Sequence, residues 1–511
     1  MLKPSTLWAG LILYLVYLLA AGFIISRREQ KKLGGRFNLM KTELTWPFLV
    51  MTYIASLMST WVFFAGPGGY YRGGFGYWLS EMSYFPLFMI ICHFTMNKVW
   101  VINRQRDYIT PSDFFYDRFK SPALRVITAL IFLTASFPYV TSVMTAIASA
   151  ATVATGGAIN YQAVLLAIGG VMIVFTAVGG FKSVAITDTL QGLVFIGLLW
   201  FIAIVVLIVA FGGSLITAGQ TVWQNSIEWF SYPGPDHWVP YAARLGYPLS
   251  CAIGYTVMLP HVFVRAGFAS KDLNTQRKLS YMAPALQGIV WTGTAVIGLV
   301  GIGLMPGLST NETELIIPHL INNVIHGAYP LLATAMMIGF VIGAVAVGVS
   351  TADSFLLVSS SIIYEDILIK TFGMKGDEKK RLLVGRIVIF VIGTVCLVMA
   401  MDPPSIIYMM IMFAIAFVMP LFPIMVYGIY WKRATKQAAI VCAIVGTVLV
   451  IMTYQVWNIG WMWFGAIGMA ANFVLMPIVS LMTKQDPKDA EDFYQALEKG
   501  MKETYVMEEV A

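Results

Sequence analysis

Charge is what this sequence has least of. Of its 511 residues only 12% are Asp, Glu, Lys or Arg, while 58% are hydrophobic; a water-soluble domain carries about 25% charged residues. So little charge cannot cover a soluble surface, which leaves lipid as the solvent for most of the chain. Cysteine is also scarce. Cys92, Cys251, Cys396 and Cys442 each sit in an apolar run without metal or redox spacing, which excludes a disulfide framework and a zinc module and leaves small buried hydrophobes. The five histidines, His93, His237, His261, His319 and His326, are scattered. No nucleophile–base pair or metal-ligand cluster emerges, so the pattern does not read as an enzyme. His261 reads as a structural partner near Arg265.

What the sequence has instead is long apolar runs, almost end to end. A spanning helix needs about 20 mostly apolar residues. The runs predict about 13 spans, at 6–26, 45–70, 76–98, 121–153, 160–179, 183–212, 241–266, 279–306, 329–369, 384–401, 404–431, 437–456 and 459–482. The first is too long for a signal-peptide core and is followed by Arg27, Arg28, Lys31 and Lys32, the pattern of a span with a cytoplasmic end. With the N-terminus outside, every Lys and Arg except Lys3, Arg72 and Arg244 falls on the inner side. The positive-inside rule thus accounts for a net charge of +7 that could otherwise suggest a nucleic-acid partner. The outer segments 213–240 and 307–328 carry Glu228, Asp236, Glu312 and Glu314 and no basic residue. The tail, 483–511, is expected to be cytoplasmic and is too short for an output domain.

Ionisable residues inside a span are costly and point to function. Three acids qualify: Glu81, Asp188 and Asp353. Glu81 reads either as solvated near the outer interface or as part of a cavity. Asp188 reads either as paired with Lys182 or as a functional carboxylate. Asp353 sits mid-span, with Ser350 and Ser354 on the same helix face at i, i+3 and i+4. Hydroxyl and carboxylate oxygens on one face suit a hard cation, and they equally suit bonding between packed helices. Gly66-Pro67-Gly68-Gly69 interrupts the second run, and Gly254 and Pro260 weaken the seventh. Broken spans five helices apart are what an inverted-repeat transporter places around its site.

These residues carry a resemblance. Gly179-Gly180-Phe181-Lys182-Ser183-Val184-Ala185-Ile186-Thr187-Asp188-Thr189-Leu190-Gln191 resembles the signature of the sodium/solute symporter family. Ser350-Thr351, Ser359-Ser360-Ser361 and Glu365-Asp366 resemble its ninth span, and Leu259 to Arg265 a segment of its pantothenate and proline branches. Pro403 to Ile407 and Tyr430 to Ala434 also fit. The resemblance implies an all-α, LeuT-type transporter domain over 1–482, with inverted repeats at about 45–212 and 241–431. It implies a sodium site from the carbonyls of Ala55, Met58 and Val347 and the hydroxyls of Ser350 and Thr351, with Na+ as the coupling ion. A second sodium or proton site would fall on Asp188, Ser350, Asp353 and Ser354, where an acid at 353 departs from the serine the family leads one to expect. Trp61, Phe64, Arg72 and Glu81 are candidate substrate contacts. Position 57 is Leu where the proline branch has an acid and the sugar branch an amide, and position 62 is Val where the sugar branch has an amide. The branches the sequence most resembles are those for pantothenate and monocarboxylates, so the resemblance implies a small carboxylate, pantothenate- or monocarboxylate-like. The alternatives are a proton-coupled carrier, a proline-like amino-acid symporter, or a membrane sensor on a transporter fold. The expected functional unit is a monomer in the plasma membrane, with no nucleic-acid partner.

Overall fold

The computed structural model describes residues 3–32, 43–231, 251–375, 378–457, 463–484 and 487–510, which are almost wholly helical. In chain order, α1 is Pro4–Lys32, α2 Trp46–Met58, α3 Ala65–Met82, α4 Tyr84–Ile91, α5 Asn97–Arg106 and α6 Pro111–Phe119. Three long helices follow, α7 Pro122–Ala154, α8 Tyr161–Gly179 and α9 Phe181–Phe211, and then α10, Leu215–Asn225. After a π-helical stretch, Cys251–Met258, come α11 Pro260–Phe268, α12 Leu273–Leu304 and α13 Pro330–Ser361. The last are α14 Glu378–Met401, α15 Ile407–Val418, α16 Leu421–Tyr430, α17 Lys436–Gln455, α18 Phe464–Met482 and α19 Pro487–Val510.

Among the described residues, 11 helices are long and apolar enough to cross a membrane, against the 13 spans expected. The difference lies in the second and seventh. The second stops after the 13 residues of α2. The seventh is interrupted at Leu259, and its expected first part, 241–250, lies outside the described residues. Helices on the rim have two unlike faces. In α1, Leu7, Leu11, Leu15 and Leu18 are buried against the bundle while Ile12, Leu13 and Val16 are exposed, an apolar outer face that only lipid can solvate. The centre is different. α13 packs on α2, α7 and α9, and from Val345 to Ser361 it is buried all round, as an interior helix must be.

The sequence pattern placed the break of the second span at Gly66-Pro67-Gly68-Gly69. The structure places it earlier, at residues 59–64. Ser59 takes φ 55°, a single turn follows at Thr60–Val62, and helix resumes at Ala65 with Pro67 in its first turn. Proline is tolerated there because a first-turn N–H has no helical partner to lose. The glycines answer a packing need instead. A Cβ on Gly68 would lie 2.7 Å from the Thr313 carbonyl oxygen, and one on Gly298 of α12 would lie 2.7 Å from the Tyr70 side chain, so the start of α3 and α12 approach closely enough to exclude side chains.

The tail is not a loose end. Phe493 and Leu497 of α19 are buried, Tyr494 donates to the Gly428 carbonyl at 2.9 Å, and Asp492 bridges Arg106 at 2.7 Å and Lys120 at 3.0 Å. Hydrogen bonds from Arg106 and Lys120 hold the Asp492 carboxyl below its usual range. A depressed acid stabilises docking above its unbound pKa, and that stabilisation fades as pH falls through the depressed value. Asp492 is half exposed, so the contribution is under about 1 kcal/mol. Asp492→Asn should therefore speed hydrogen exchange in residues 487–504 at neutral pH, with the difference from wild type vanishing in acid and at high salt.

Candidate functional site

The two broken helices meet at their breaks. α2 ends at Met58, and the last four carbonyls of a helix have no partner further along it. Side chains from elsewhere take two of them: Tyr255 donates to the Leu57 carbonyl, and Thr351 Oγ1 lies 3.0 Å from that of Ser56. In return Tyr53 of α2 donates to the Thr256 carbonyl, 2.5 Å away, in the π-helical stretch. Each broken helix thus supplies a tyrosine that satisfies the other. The remaining carbonyls of that last turn belong to Ala55 and Met58, two of the ligands expected for sodium. Opposite them on α13, Thr351 Oγ1 also lies 3.1 Å from the Val347 carbonyl. Ser350 Oγ is buried without a partner among the described residues. Carbonyl and hydroxyl oxygens are the kind of donor a hard monovalent cation takes, so the chemistry of these residues is compatible with the Na+ expected there.

One turn deeper lies a charged network that the sequence reading only half foresaw. Asp188 of α9 accepts from Thr52 at 2.6 Å, from Ser56 at 3.1 Å and from Arg265 of α11 at 3.1 Å. Arg265 also donates to Ser354 at 2.7 Å, to Thr52 at 3.1 Å and to the His261 carbonyl at 3.1 Å. Both charged side chains are fully buried. Asp188 therefore pairs with Arg265; the Lys182 side chain lies outside the described residues. Of the expected second site, Asp188 and Ser354 come together, but through the guanidinium. Asp353 turns to α8, where Thr176 donates to its Oδ1. Arg265, Thr52, Ser56 and Thr176 were missed as site residues. A lone arginine in an apolar stretch, with Asp188 as a buried acid to match, was the available signal.

The expected substrate contacts divide. Trp61, in the turn at the break, packs its ring 6.1 Å from Tyr70 and 5.9 Å from Trp291 of α12. Phe64 meets Phe340 of α13 at 5.6 Å. Glu81 is buried rather than solvated and accepts from Tyr70. Arg72 is buried too and donates to the Thr310 carbonyl at 3.2 Å and to Thr313, so it fastens the turn Thr310–Thr313 to α3. Glu314, the residue after the turn Thr310–Thr313, accepts from the backbone N–H groups of Ile407 and Tyr408 at 3.3 and 3.0 Å, which joins the same turn to the start of α15.

An interrupted span whose freed carbonyls face hydroxyls of a second helix, inside an apolar bundle, is an arrangement that membrane transporters use. The particular family follows from comparison. Residues 37–446 match the family model of the Sodium:solute symporter family, and the chain belongs to that family. It is 26% identical to the sodium/pantothenate symporter of Haemophilus influenzae over 85% of this chain and 88% of that protein. It is 26% identical to the sodium/proline symporter of Escherichia coli over 86% and 88%. Its fold is that of a Na+-coupled sialic acid symporter solved in a substrate-bound outward-open state, with a TM-score of 0.75 at 18% identity over 94% of this chain and 98% of that one. MhsT in complex with L-phenylalanine is more distant, with a TM-score of 0.53 at 13% identity over 86% and 99%. The fold class is thus the LeuT type, and the chain is a sodium-coupled symporter.

Removing one member of a fully buried ion pair strands the other at a cost of about 3–5 kcal/mol, whereas replacing both by apolar residues costs far less. Asp188→Leu and Arg265→Met should each lower the melting temperature of the purified protein strongly, and the double variant should recover most of the loss.

Proposed function

We propose that the chain imports a small carboxylate, pantothenate- or monocarboxylate-like, together with sodium across the plasma membrane by alternating access. The observation that carries the reading is the meeting of the last turn of α2 with Val347, Ser350 and Thr351 of α13. A sodium ion bound there, on the carbonyls of Ala55, Met58 and Val347 and the two hydroxyls, would tie the broken helix to its neighbour. That contact completes the substrate site at the adjoining break, so each ligand raises the affinity of the other by the same factor. Low sodium on the inner side would release the ion, and with it the brace that holds the site. The transporter domain is 1–482, with repeats at about 45–212 and 241–431 that each begin on a broken helix. The basic residues put the N-terminus outside and the 483–511 tail in the cytoplasm, and the working unit is the monomer.

The relatives named for pantothenate support a carboxylate. Leu57 and Val62 are buried and apolar, which speaks against a sugar. Arg72 bonds the turn Thr310–Thr313 and has the Glu314 carboxylate near it as a counter-charge, so the solute's charge would meet the sodium ion itself. A proton-coupled variant rests on Asp353, a buried carboxylate with Thr176 as partner.

Uptake of labelled pantothenate, lactate and proline into proteoliposomes tests the reading. A sodium gradient should drive one carboxylate and a proton gradient alone should not. Ser350→Ala and Thr351→Ala should each raise the sodium concentration for half-maximal uptake about tenfold, equivalent to the loss of about 1.4 kcal/mol at the ion. Unchanged sodium dependence in both variants would sink the ligand assignment.

A further inference from the structure

Polar groups buried in a membrane bundle are expected to find partners, because an unpaired amide costs several kcal/mol in an apolar setting. Many of the deep polar side chains obey this rule, while others, Ser112 and Ser359 among them, have no hydrogen-bond partner among the described residues. Gln287 of α12 belongs to the second group, with both polar atoms of an amide unbonded. It is fully buried, and neither its Oε1 nor its Nε2 has a partner among the described residues. Trp291, one turn further on and on the same helix face, is equally buried and its Nε1 is also unpartnered. One turn of α12 therefore holds an acceptor and three N–H donors without a bond.

The surroundings of Trp291 are aromatic and reach the break. The Trp291 ring is 5.9 Å from Trp61, 4.5 Å from Tyr84 and 6.0 Å from Phe85. Tyr84 continues to Phe88 and from there to Tyr53 of α2, at 6.1 and 5.9 Å. α12 packs directly against α2 and against the turn Thr60–Val62, whose Thr60 hydroxyl is a further buried group without a partner. The glycine at 288 lets the box close, since a Cβ there would lie 2.3 Å from the Phe85 ring. An aromatic lining with a few convergent polar groups is how small-molecule sites fix an apolar body and read one polar function.

We propose that Gln287, supported by Trp291, is the specificity-determining end of the substrate site, and that the solute it selects carries an amide in addition to its carboxylate. A primary amide is complementary to another amide, because each offers a carbonyl acceptor and an N–H donor in one plane. A bare short monocarboxylate would leave Gln287 unpaired at its own cost, and a site built to hydrogen-bond a group discriminates strongly against analogues that lack it. Among the solutes considered for this fold, pantothenate has such an amide; lactate and proline do not. This inference rests on the symport reading and sharpens it.

The test uses the full-length protein in proteoliposomes under an inward sodium gradient, with labelled pantothenate and its N-methylated analogue as probes. A sodium-dependent melting shift of the purified protein serves as an independent readout. Wild type should prefer pantothenate over the analogue. Gln287→Leu should raise the KM for pantothenate about 10- to 100-fold, the loss of about 1.4–2.8 kcal/mol, and erase that preference while keeping the sodium-dependent melting shift. Trp291→Phe keeps the ring and should raise KM by a smaller factor; it decides the matter if the leucine variant does not fold, with an unchanged KM then counting against the site. An unchanged KM in Gln287→Leu overturns the role of Gln287. A wild type that shows the sodium shift but takes up lactate or proline in preference to pantothenate overturns the amide while leaving symport intact. A wild type with neither sodium shift nor sodium-driven uptake overturns both.

Discussion

The broken second helix persists inside the bundle because each backbone group it frees is answered by a group from another helix. A carbonyl exposed to hydrocarbon costs several kcal/mol, so a span cannot simply stop. Here Thr351 and Tyr255 answer Ser56 and Leu57, and Tyr53 returns the service to Thr256 in the other interrupted helix. The two breaks are therefore one construction. It is also an incomplete one, since among the described residues neither the Ala55 nor the Met58 carbonyl of that last turn is answered as Ser56 and Leu57 are, and the Ser350 hydroxyl of α13 is buried. A cation there would add the missing bonds, and this is why ion occupancy and the position of α2 against α13 are coupled in the proposed mechanism.

The buried pair of Asp188 and Arg265 plays a different part. Both charges are wholly desolvated, a condition tolerated only when hydrogen bonds satisfy what the ion pair leaves over. Thr52 and Ser56 satisfy Asp188 Oδ2 and Ser354 takes a further Arg265 N–H, while Asp188 Oδ1 keeps no hydrogen-bond partner among the described residues. These groups come from α2 and α13, the same two helices that flank the proposed ion. The network spans α2, α9, α11 and α13. Movement of α11 relative to α9 must break or carry these bonds together, which favours discrete arrangements over gradual deformation.

Much of this was legible in the sequence because lipid leaves few options. Low charge and apolar runs dictated helices. The Ser350-Thr351 pair stood out because hydroxyls and an acid on one helix face are conspicuous in a long apolar run. Long-range geometry was less accessible. The break was assigned to Gly66 to Gly69 because glycine and proline punctuate chains, yet Pro67 is compatible with a first turn and the actual break falls on Ser59, whose φ of 55° no local preference announces. Arg265 was read beside His261, its neighbour in sequence, and its true partner lies 77 residues away. Asp353 and Ser354 are adjacent in sequence but bond to different helices, since successive residues on a helix point about 100° apart. Gln287 gave no signal at all, because an amide in an apolar run is unremarkable until its partners are sought.

Selectivity in such a site follows from which charges are already spent. Arg265 is paired with Asp188, and Arg72, which bonds the neutral Thr310 carbonyl and Thr313 hydroxyl, has the Glu314 carboxylate near it as a counter-charge, so neither arginine is left as the fixed counter-ion of an anionic solute. An anion entering a low-dielectric site without a counter-charge would be expelled. If the solute is a carboxylate, its charge must be balanced by something that enters with it, and in the proposed mechanism the sodium ion at the last turn of α2 would do this. Coupling would then need no separate signal between two sites: the proposed ion would make the site electrically habitable, and the rest of the solute would be judged by the proposed contacts from α12.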